Sequence, residues 1–137
     1  MASVQPSPGP DSAPCAFCDI VAARLPRRVR FEDADLLAFH NRLSWAPVML
    51  LIVPKAHMTQ RAFWESNIFP RVARLAVQLG EAECPGGYRI LSNIGDDALQ
   101  TQTHGHLHVI GGIALGLYVS RRLAVLPPDF PYRDPDQ

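Results

Sequence analysis

The segment that most constrains the fold is THGHLHVIGG, residues 103–112, in which three of the chain's five histidines alternate with other residues. A β-strand advances about 3.3 Å per residue and points successive side chains to opposite faces. On such a strand His104, His106 and His108 would line one face at intervals of about 6.6 Å. Leu107 would then point to the other face, towards a core. The pattern predicts a strand with one apolar face and one histidine face.

Other segments predict further strands and two helices. The spacing of Phe69, Val72, Leu75, Ala76 and Leu79 is typical of a helix, over residues 69–83. FCDIVAARL predicts a shorter helix near the N-terminus. Strands are predicted at Arg28–Phe31, Leu36–Phe39, Val48–Val53 and Tyr88–Ser92, in addition to the histidine segment. The run Val48–Val53 is continuously apolar, which predicts a strand covered on one face and flanked on the other. Strands interleaved with one long helix indicate an α+β domain.

Proline marks the predicted domain boundaries. Prolines are concentrated near both ends of the sequence: Pro6, Pro8, Pro10, Pro14, Pro127, Pro128, Pro131 and Pro135. The N-terminal segment also lacks a periodic apolar pattern, which is typical of a flexible tail. We therefore predict one domain over residues 15–126, between a flexible tail over 1–14 and a second proline-rich tail over 127–137.

The charge balance argues against several classes of partner. Lys plus Arg and Asp plus Glu each total 13, so the formal net charge is +0. A protein that neutralises many nucleic-acid phosphates normally carries a basic field, and we expect no nucleic-acid partner. No apolar run approaches the roughly 20 residues of a membrane span, and the N-terminus lacks the features of a secretory signal. We expect a cytoplasmic protein with no membrane partner. Its three cysteines, an odd number, argue against a disulfide framework.

Two functional interpretations fit the row of histidines. Buried imidazoles are unfavourable as plain packing, because each ring nitrogen needs a partner. The row could bind a metal, as His-x-His pairs on strands do. Alternatively, the central imidazole could act as a nucleophile or base, with its neighbours fixing its tautomer and stabilising charge.

The segment HGHLHVI resembles the His-φ-His-φ-His-φ-φ signature of the histidine triad (HIT) superfamily, where φ is apolar, although Gly105 departs from the first φ. Further segments resemble its nucleotide-binding branch, in the bacterial zinc-binding type. They are CAFCDIVAARLPRRVRFEDADLLAFHN, APVMLLIVPKAH, Asn93 upstream of the triad, and Gly111-Gly112. The resemblance implies a HIT-like α+β domain with an antiparallel sheet of about five strands, one long helix and a short N-terminal helix.

The resemblance implies chemistry at the α-phosphate of a purine nucleotide derivative. His106 would attack phosphorus and form a nucleotidyl-histidine intermediate that water hydrolyses. His108 and Asn93 would orient the nucleophile and bind phosphate oxygens. The leading prediction is a purine nucleoside phosphoramidase, which cleaves the P–N bond of an AMP or GMP amide. The implied substrate-binding residues are Asn41, Arg42, Asn93, Leu99, Gln100, Thr101, His106 and His108.

Two departures from the family pattern affect the predicted nucleotide site. The family usually carries aspartate at the position of Asn41, where the carboxylate accepts hydrogen bonds from the ribose hydroxyls. Asparagine keeps a carbonyl acceptor but loses the charge, and charge-assisted hydrogen bonds are roughly twice as strong as neutral ones. We therefore expect weaker or altered ribose binding. Ala98 and Leu99 stand where glycines often precede the glutamine, and their side chains would narrow the approach to the phosphate.

The spacing of Cys15 and Cys18 forms a CxxC pair, which alone is a moderate signal. Zinc takes four soft or borderline ligands, and two cysteines with two histidines suffice. The resemblance implies a structural Zn²⁺ bound by Cys15, Cys18, His57 and His104. Cys84 lies outside this set and is predicted to be a free thiol.

Three alternatives to a phosphoramidase remain open. The same His106 could hydrolyse dinucleoside polyphosphates. The chain could instead be a nucleotide-binding zinc module with little turnover, or a metalloenzyme with all three histidines on one metal. The resemblance also implies a homodimer, joined through the long helix and an edge strand into one continuous sheet.

Overall fold

The computed structural model describes residues 14–117, so residues 1–13 of the predicted N-terminal tail, residues 118–126 of the predicted domain and the whole predicted C-terminal tail lie outside it. The elements are, in chain order, α1 (Ala16–Val21), β1 (Val29–Glu32), β2 (Leu36–His40), β3 (Val48–Pro54), α2 (Gln60–Glu65), α3 (Phe69–Glu83), β4 (Tyr88–Leu91) and β5 (Leu107–Gly111). The strands form one sheet in the order β1-β2-β3-β5-β4, and every adjoining pair is antiparallel. The predicted α+β fold, with five strands and one long helix, is confirmed. Within residues 14–117, no helix has both the length and the apolar character needed to cross a membrane.

Alternate side chains of a strand point to opposite faces of the sheet. Both faces of the central strands are covered, each by its own apolar cluster. The face towards α3 contributes Leu36, Ala38, Leu50, Ile52, Leu107 and Val109 to the main core cluster. The face towards α1 contributes Leu37, Phe39, Leu51 and Val53, which form a second cluster with Phe17 of that helix. Strand β3 is therefore buried on both sides, which explains its continuous apolar run better than the predicted one-sided cover.

Helix α3 has the predicted bounds, because its apolar spacing is a local property of the sequence. Val72, Leu75, Ala76 and Leu79 form its buried stripe. Pro70 lies in the first turn, where its missing N–H has no helical partner to lose. The chain leaves the helix at Cys84, which is a buried free cysteine, as predicted.

The two shorter helices differ from the sequence-based expectation. Helix α1 ends at Val21, whereas the apolar pattern extended to Leu25. Its last turn is closed by Arg27, whose Nη1 donates to the carbonyl oxygens of Ile20 and Val21 at 3.3 Å each. Helix α2 was not predicted, because six residues are too few to show a helical period. It begins after Thr59, whose Oγ1 caps the helix by accepting from the Ala62 amide at 3.1 Å.

The strand prediction for the histidine segment holds only for its second half. Strand β5 begins at Leu107, and the His104 backbone instead forms an isolated bridge with Thr59. The Gly105 amide donates to the Met58 carbonyl at 2.7 Å. Residues 104 and 105 therefore pair with the segment that follows β3, rather than with β3 itself.

Gly105, the departure from the family signature, has a packing reason. A Cβ atom at this position would lie 2.6 Å from Cβ of Phe63 on α2, closer than side-chain atoms approach each other. Phe63 is fully buried and fills the volume that an apolar side chain at position 105 would take. Glycine is therefore required by the close approach of α2 to the histidine segment.

Candidate active site and metal centre

Four of the predicted site residues form a cluster at the start of α1. The ligand atoms of Cys15, Cys18, His57 and His104 all lie within 4.8 Å of one another. Cys15 occupies the N-cap of α1, and its Sγ accepts from the Cys18 amide at 3.2 Å. This turn brings both sulfur atoms to the same side of the helix, and His57 and His104 approach them from two other segments.

The cluster fits a tetrahedral metal ion of the size and softness of zinc. Zn–S bonds of about 2.3 Å and Zn–N bonds of about 2.05 Å at tetrahedral angles place sulfur and nitrogen about 3.6 Å apart. The distance from Cys15 Sγ to His104 Nδ1 is 3.4 Å, and Cys18 Sγ lies 3.5 Å from the same nitrogen and 3.2 Å from His57 Nδ1. Burial and the adjacent Cys15 raise the pKa of Cys18 to about 11, so metal binding must displace its proton.

His104 is oriented by the sheet for this role. Its ring is fully buried, and Nε2 donates to the Pro54 carbonyl oxygen at 2.8 Å. A carbonyl oxygen can only accept, so the proton must be on Nε2. The lone pair of Nδ1 is then directed at the two sulfur atoms. Burial lowers the pKa of His104, which favours this neutral tautomer.

The main chain of His104 holds the ring of His106. Its Nδ1 donates to the His104 backbone carbonyl oxygen at 2.8 Å, which leaves the lone pair on Nε2. Phe17 contacts the ring edge-on, with the ring centroids 5.1 Å apart. Burial lowers the pKa of His106, so the ring is neutral near pH 7. One residue, His104, therefore faces the cysteines with its side chain and fixes the tautomer of His106 with its main chain.

His108 lies on β5 next to His106, with the two ring centroids 5.1 Å apart. Its Nε2 is buried and has no hydrogen-bond partner among residues 14–117. Burial and the neighbouring His106 lower the pKa of His108 to about 4. A buried ring nitrogen without a partner is unfavourable unless a ligand provides one. The three histidines do not form a joint metal-binding group within the described residues, which argues against the single-metal alternative.

Gln60, on α2, is a buried residue of this site that sequence reasoning missed. Its Oε1 accepts from the His106 amide at 2.9 Å, and its Nε2 donates to the Asn93 carbonyl at 3.3 Å. Nε2 is also 3.4 Å from His106 Nδ1, but that nitrogen donates to His104, so it cannot accept. Gln60 thus joins two of the predicted catalytic residues, and only its position shortly after His57 could have suggested it.

A cavity of about 620 Å³ lies on the α1 face beside the histidines. Its wall includes Phe17, which contacts His106, and Leu51, which pairs with His108 across β3 and β5. Asn41 and Arg42, directly after β2, also line the cavity, whereas His106, His108 and Asn93 are not among its described lining residues. The volume is within the range of about 300–1,000 Å³ that small-molecule sites occupy.

The other predicted binding residues lie in the loop between β4 and β5. Gln100 bonds within this loop, where its Oε1 accepts from the Gly95 amide at 2.9 Å and its Nε2 donates to the Gln102 carbonyl at 2.8 Å. Leu99 adopts a left-handed conformation with φ of 61°, which glycine adopts without strain. No hydrogen bond within residues 14–117 links Leu99, Gln100 or Thr101 to a histidine.

Comparison with known proteins identifies one family. Residues 22–114 match the model of the HIT domain. A 13.2 kDa HIT-like protein of Azospirillum brasilense is 34% identical over 115 residues, which cover 77% of this chain and 91% of the relative. A HIT family hydrolase from Clostridium thermocellum superposes with a TM-score of 0.70 at 33% identity, covering 77% of this chain and 96% of that one. A zinc-bound histidine triad family protein from Mycobacterium smegmatis superposes with a TM-score of 0.65 at 26% identity, covering 85% and 84% respectively.

Proposed function

The chain belongs to the HIT domain family, and we propose that it is a cytoplasmic hydrolase that cleaves the P–N bond of purine nucleoside phosphoramidates. In this reaction Nε2 of His106 attacks the α-phosphorus. The P–N bond breaks, and the amine leaves after taking up a proton from solvent. Water then hydrolyses the phosphohistidine bond, which releases AMP or GMP and regenerates the imidazole.

The observation that carries this proposal is the hydrogen bond from His106 Nδ1 to the His104 carbonyl. It places the proton on one ring nitrogen and the nucleophilic lone pair on the other, without help from a carboxylate. An imidazole held in one tautomer is ready to form a bond to phosphorus through the free nitrogen. The neighbouring HIT structures include proteins named hydrolases, which supports hydrolysis at the level of the family.

His108 and Asn93 have supporting roles in the proposal. His108 Nε2 is buried without a described partner, and a phosphate oxygen of the substrate would supply one. Donors aimed at the oxygens on which charge develops contribute strongly in a site that excludes water. Asn93 is held next to His106 through Gln60, and its side chain makes no hydrogen bond to a described residue. It remains available to bind a second phosphate oxygen.

We propose Zn²⁺ as the ion of the Cys15, Cys18, His57 and His104 cluster. The four ligands match its preferred donor set and geometry, and a zinc-bound relative has the same fold. The ion would supply structural cross-linking of α1 to the histidine segment. No step of the reaction requires it, because His104 acts on His106 through its backbone oxygen.

A turnover assay on the full chain tests the proposal. The wild type should hydrolyse the adenosine phosphoramidate of a fluorescent amine, and His106→Ala should lower kcat by at least about 10³-fold. Acid-labile AMP should be trapped on His106 in the wild type after rapid quenching. Equal turnover by the variant overturns the proposal. Faster cleavage of a dinucleoside polyphosphate favours that alternative, and AMP binding without any turnover indicates a binding module.

A homodimer is the assembly that we propose, formed along β4 and α3. Strand β4 is an edge of the sheet, and exposed apolar side chains lie on both elements, Ile90 on β4 and Val77 on α3. An edge strand can pair with a second copy and extend the sheet across the interface. Light scattering should give twice the chain mass, and Ile90→Lys should give the monomer mass. A monomeric wild type contradicts this assembly.

A further inference from the structure

Positively charged side chains line the rim of the cavity beside the histidines. Its described lining includes Arg27, Arg28 and Arg42 but neither aspartate nor glutamate. Arg27 is already paired, because it donates to the end of α1 and lies 3.6 Å from Glu32. The side chains of Arg28 and Arg42 form no hydrogen bond or ion pair with any residue in the range 14–117. Two guanidinium groups at the cavity are therefore free to bind a ligand.

The amide of Asn41 adds a further donor to the same rim. Its Oδ1 accepts from the Leu43 amide at 3.0 Å, so the turn after β2 fixes which end of the amide is the oxygen. The other end, Nδ2, can only donate. Asn41 therefore offers a ligand in the cavity one fixed N–H donor, and only the second lone pair of Oδ1 remains as an uncharged acceptor.

The fold brings these three residues together. The His40 amide donates to the Arg28 carbonyl at 3.0 Å, so the start of β1 lies beside the end of β2. Asn41 and Arg42 follow His40 directly. The rim therefore combines two unpaired cations and one fixed donor within a few residues of the sheet, and it offers no carboxylate.

We propose that this rim binds a second phosphate, carried on the 2′ or 3′ position of the ribose, in a nucleotide whose α-phosphate reaches His106. Free ribose hydroxyls are recognised well by a carboxylate, because they donate hydrogen bonds to it. A phosphate monoester is an anion with strong acceptors, and it suits guanidinium and amide donors. Dinucleotide-binding folds make the same distinction, with an acidic residue on the ribose hydroxyl or an arginine near a ribose phosphate. The inference rests on the proposed function, since it assumes that a nucleotide occupies the cavity.

Calorimetric titration of the full-length, zinc-loaded protein tests this subsite with three ligands: AMP, adenosine 3′,5′-bisphosphate and adenosine 2′,5′-bisphosphate. At least one bisphosphate should bind about tenfold or more tightly than AMP at the same ionic strength, because two charge-assisted contacts are added. The bisphosphate that binds more tightly identifies the ribose position. Equal affinities for all three ligands overturn the inference.

Variants show whether a preference for bisphosphates comes from the rim residues or from the general charge of the protein. Asn41→Asp should reverse the preference, so that AMP binds at least as tightly as the bisphosphate. The double variant Arg28→Ala, Arg42→Ala should bring the affinity ratio close to one. Arg61→Ala is the matched control, because this exposed arginine pairs with Glu65 on α2 and does not line the cavity. A ratio that falls equally in the control, or in none of the variants, overturns the inference.

The same protein samples distinguish this failure from failure of the proposed function. His106-dependent turnover with no bisphosphate preference rejects only the second phosphate subsite. Preferred binding of a bisphosphate without His106-dependent turnover rejects only the phosphoramidase reaction.

Discussion

The two faces of the sheet use the same strands for different purposes. The face towards α3 is covered by the larger apolar cluster, in which Leu107 and Val109 are fully buried. The face towards α1 has a smaller apolar cluster, and the histidines, the cysteines and the cavity all lie on this side. Leu107 and its neighbour His106 therefore belong to opposite faces, although they are adjacent in the chain.

The contrast teaches how a small domain combines stability with a polar site. Successive side chains of a strand point to opposite faces of the sheet, so one segment can contribute both to the apolar core and to the face that carries the histidines. Burying polar rings is unfavourable unless each finds a partner. On the α1 face His104 and His106 have main-chain carbonyls as partners, whereas His108 Nε2 has no partner among residues 14–117. The α3 face supplies the apolar burial that offsets this cost.

The largest effect on stability is expected when the metal is lost from the α1 face. Cys18→Ser removes one of the four ligands, and α1 then loses its link to His57 and His104. If free zinc exceeds the dissociation constant about 1,000-fold, metal binding stabilises the native protein by about 4 kcal/mol, and the variant should lose this contribution. Native mass spectrometry and thermal unfolding measure both quantities.

Cys84→Ser is the matched control for that substitution, because Cys84 is a buried cysteine outside the cluster. It should retain one zinc ion per chain. Full zinc content and an unchanged melting temperature in Cys18→Ser would show that the cluster does not contribute to stability.

The next effect is expected on the α3 face. Leu107→Ala removes a side chain that is 1% exposed and should lower the free energy of unfolding by about 3 kcal/mol. Below the melting temperature kcat should stay within about threefold of the wild-type value, because the histidine face is unchanged. Urea unfolding and the phosphoramidate assay measure the two effects. A large loss of kcat in the folded variant would show that the faces are not independent.

A smaller effect is expected at Gln60, whose side chain contacts the main chain of both His106 and Asn93. Gln60→Leu cannot accept from the His106 amide or donate to the Asn93 carbonyl, so both residues, which we propose to be catalytic, lose their alignment. We expect kcat to fall about tenfold to a hundredfold with little change in KM, because small displacements of reacting groups are costly. Gln60→Glu keeps an acceptor for the His106 amide and should recover part of kcat.

Nitrogen NMR of His106 distinguishes positioning from simple destabilisation in this series. In Gln60→Leu the Nδ1 proton signal should broaden or shift, while a purely structural role would change stability and leave this signal in place. Unchanged kcat in the leucine variant contradicts the positioning role.

The smallest effect is expected at the edge of the α3 face. Asp33 accepts from the amides of Asp35 and Leu36 at 2.8 Å each and pairs with Arg71 of α3. Burial alone would raise the pKa of Asp33, but the two amides and Arg71 outweigh it and lower the pKa. Asp33→Ala should reduce the free energy of unfolding by about 1 kcal/mol at neutral pH.

The sign of the pH dependence follows from the lowered pKa. The stabilisation by Asp33 is complete above the ordinary pKa of 3.8 and is lost as the pH falls through the lower native value. Chemical unfolding of wild type and variant should therefore converge once the pH falls below the native pKa of Asp33. A difference that persists at low pH would mean that the charge of Asp33 is not the cause.

Features that depend on local spacing could be predicted from the sequence. The bounds of α3 follow from its apolar stripe, and the opposite directions of Leu107 and the neighbouring histidines follow from alternation. The four metal ligands came from the resemblance, and the structure brings them together. Helix α2 and Gln60 could not be predicted, because a six-residue helix has no clear period and Gln60 matters through His106, 46 residues later.

By itself, the sequence determined the α+β class, the long helix and the pattern that divides apolar from histidine positions, because these follow from periods of a few residues. Only the tertiary structure decided which ring nitrogen carries the proton in His104 and in His106. The Pro54 carbonyl directs His104 Nδ1 to the cysteines, and the His104 carbonyl in turn leaves His106 Nε2 free. The choice at His104 depends on Pro54, 50 positions earlier, and no local pattern encodes the distance between the two.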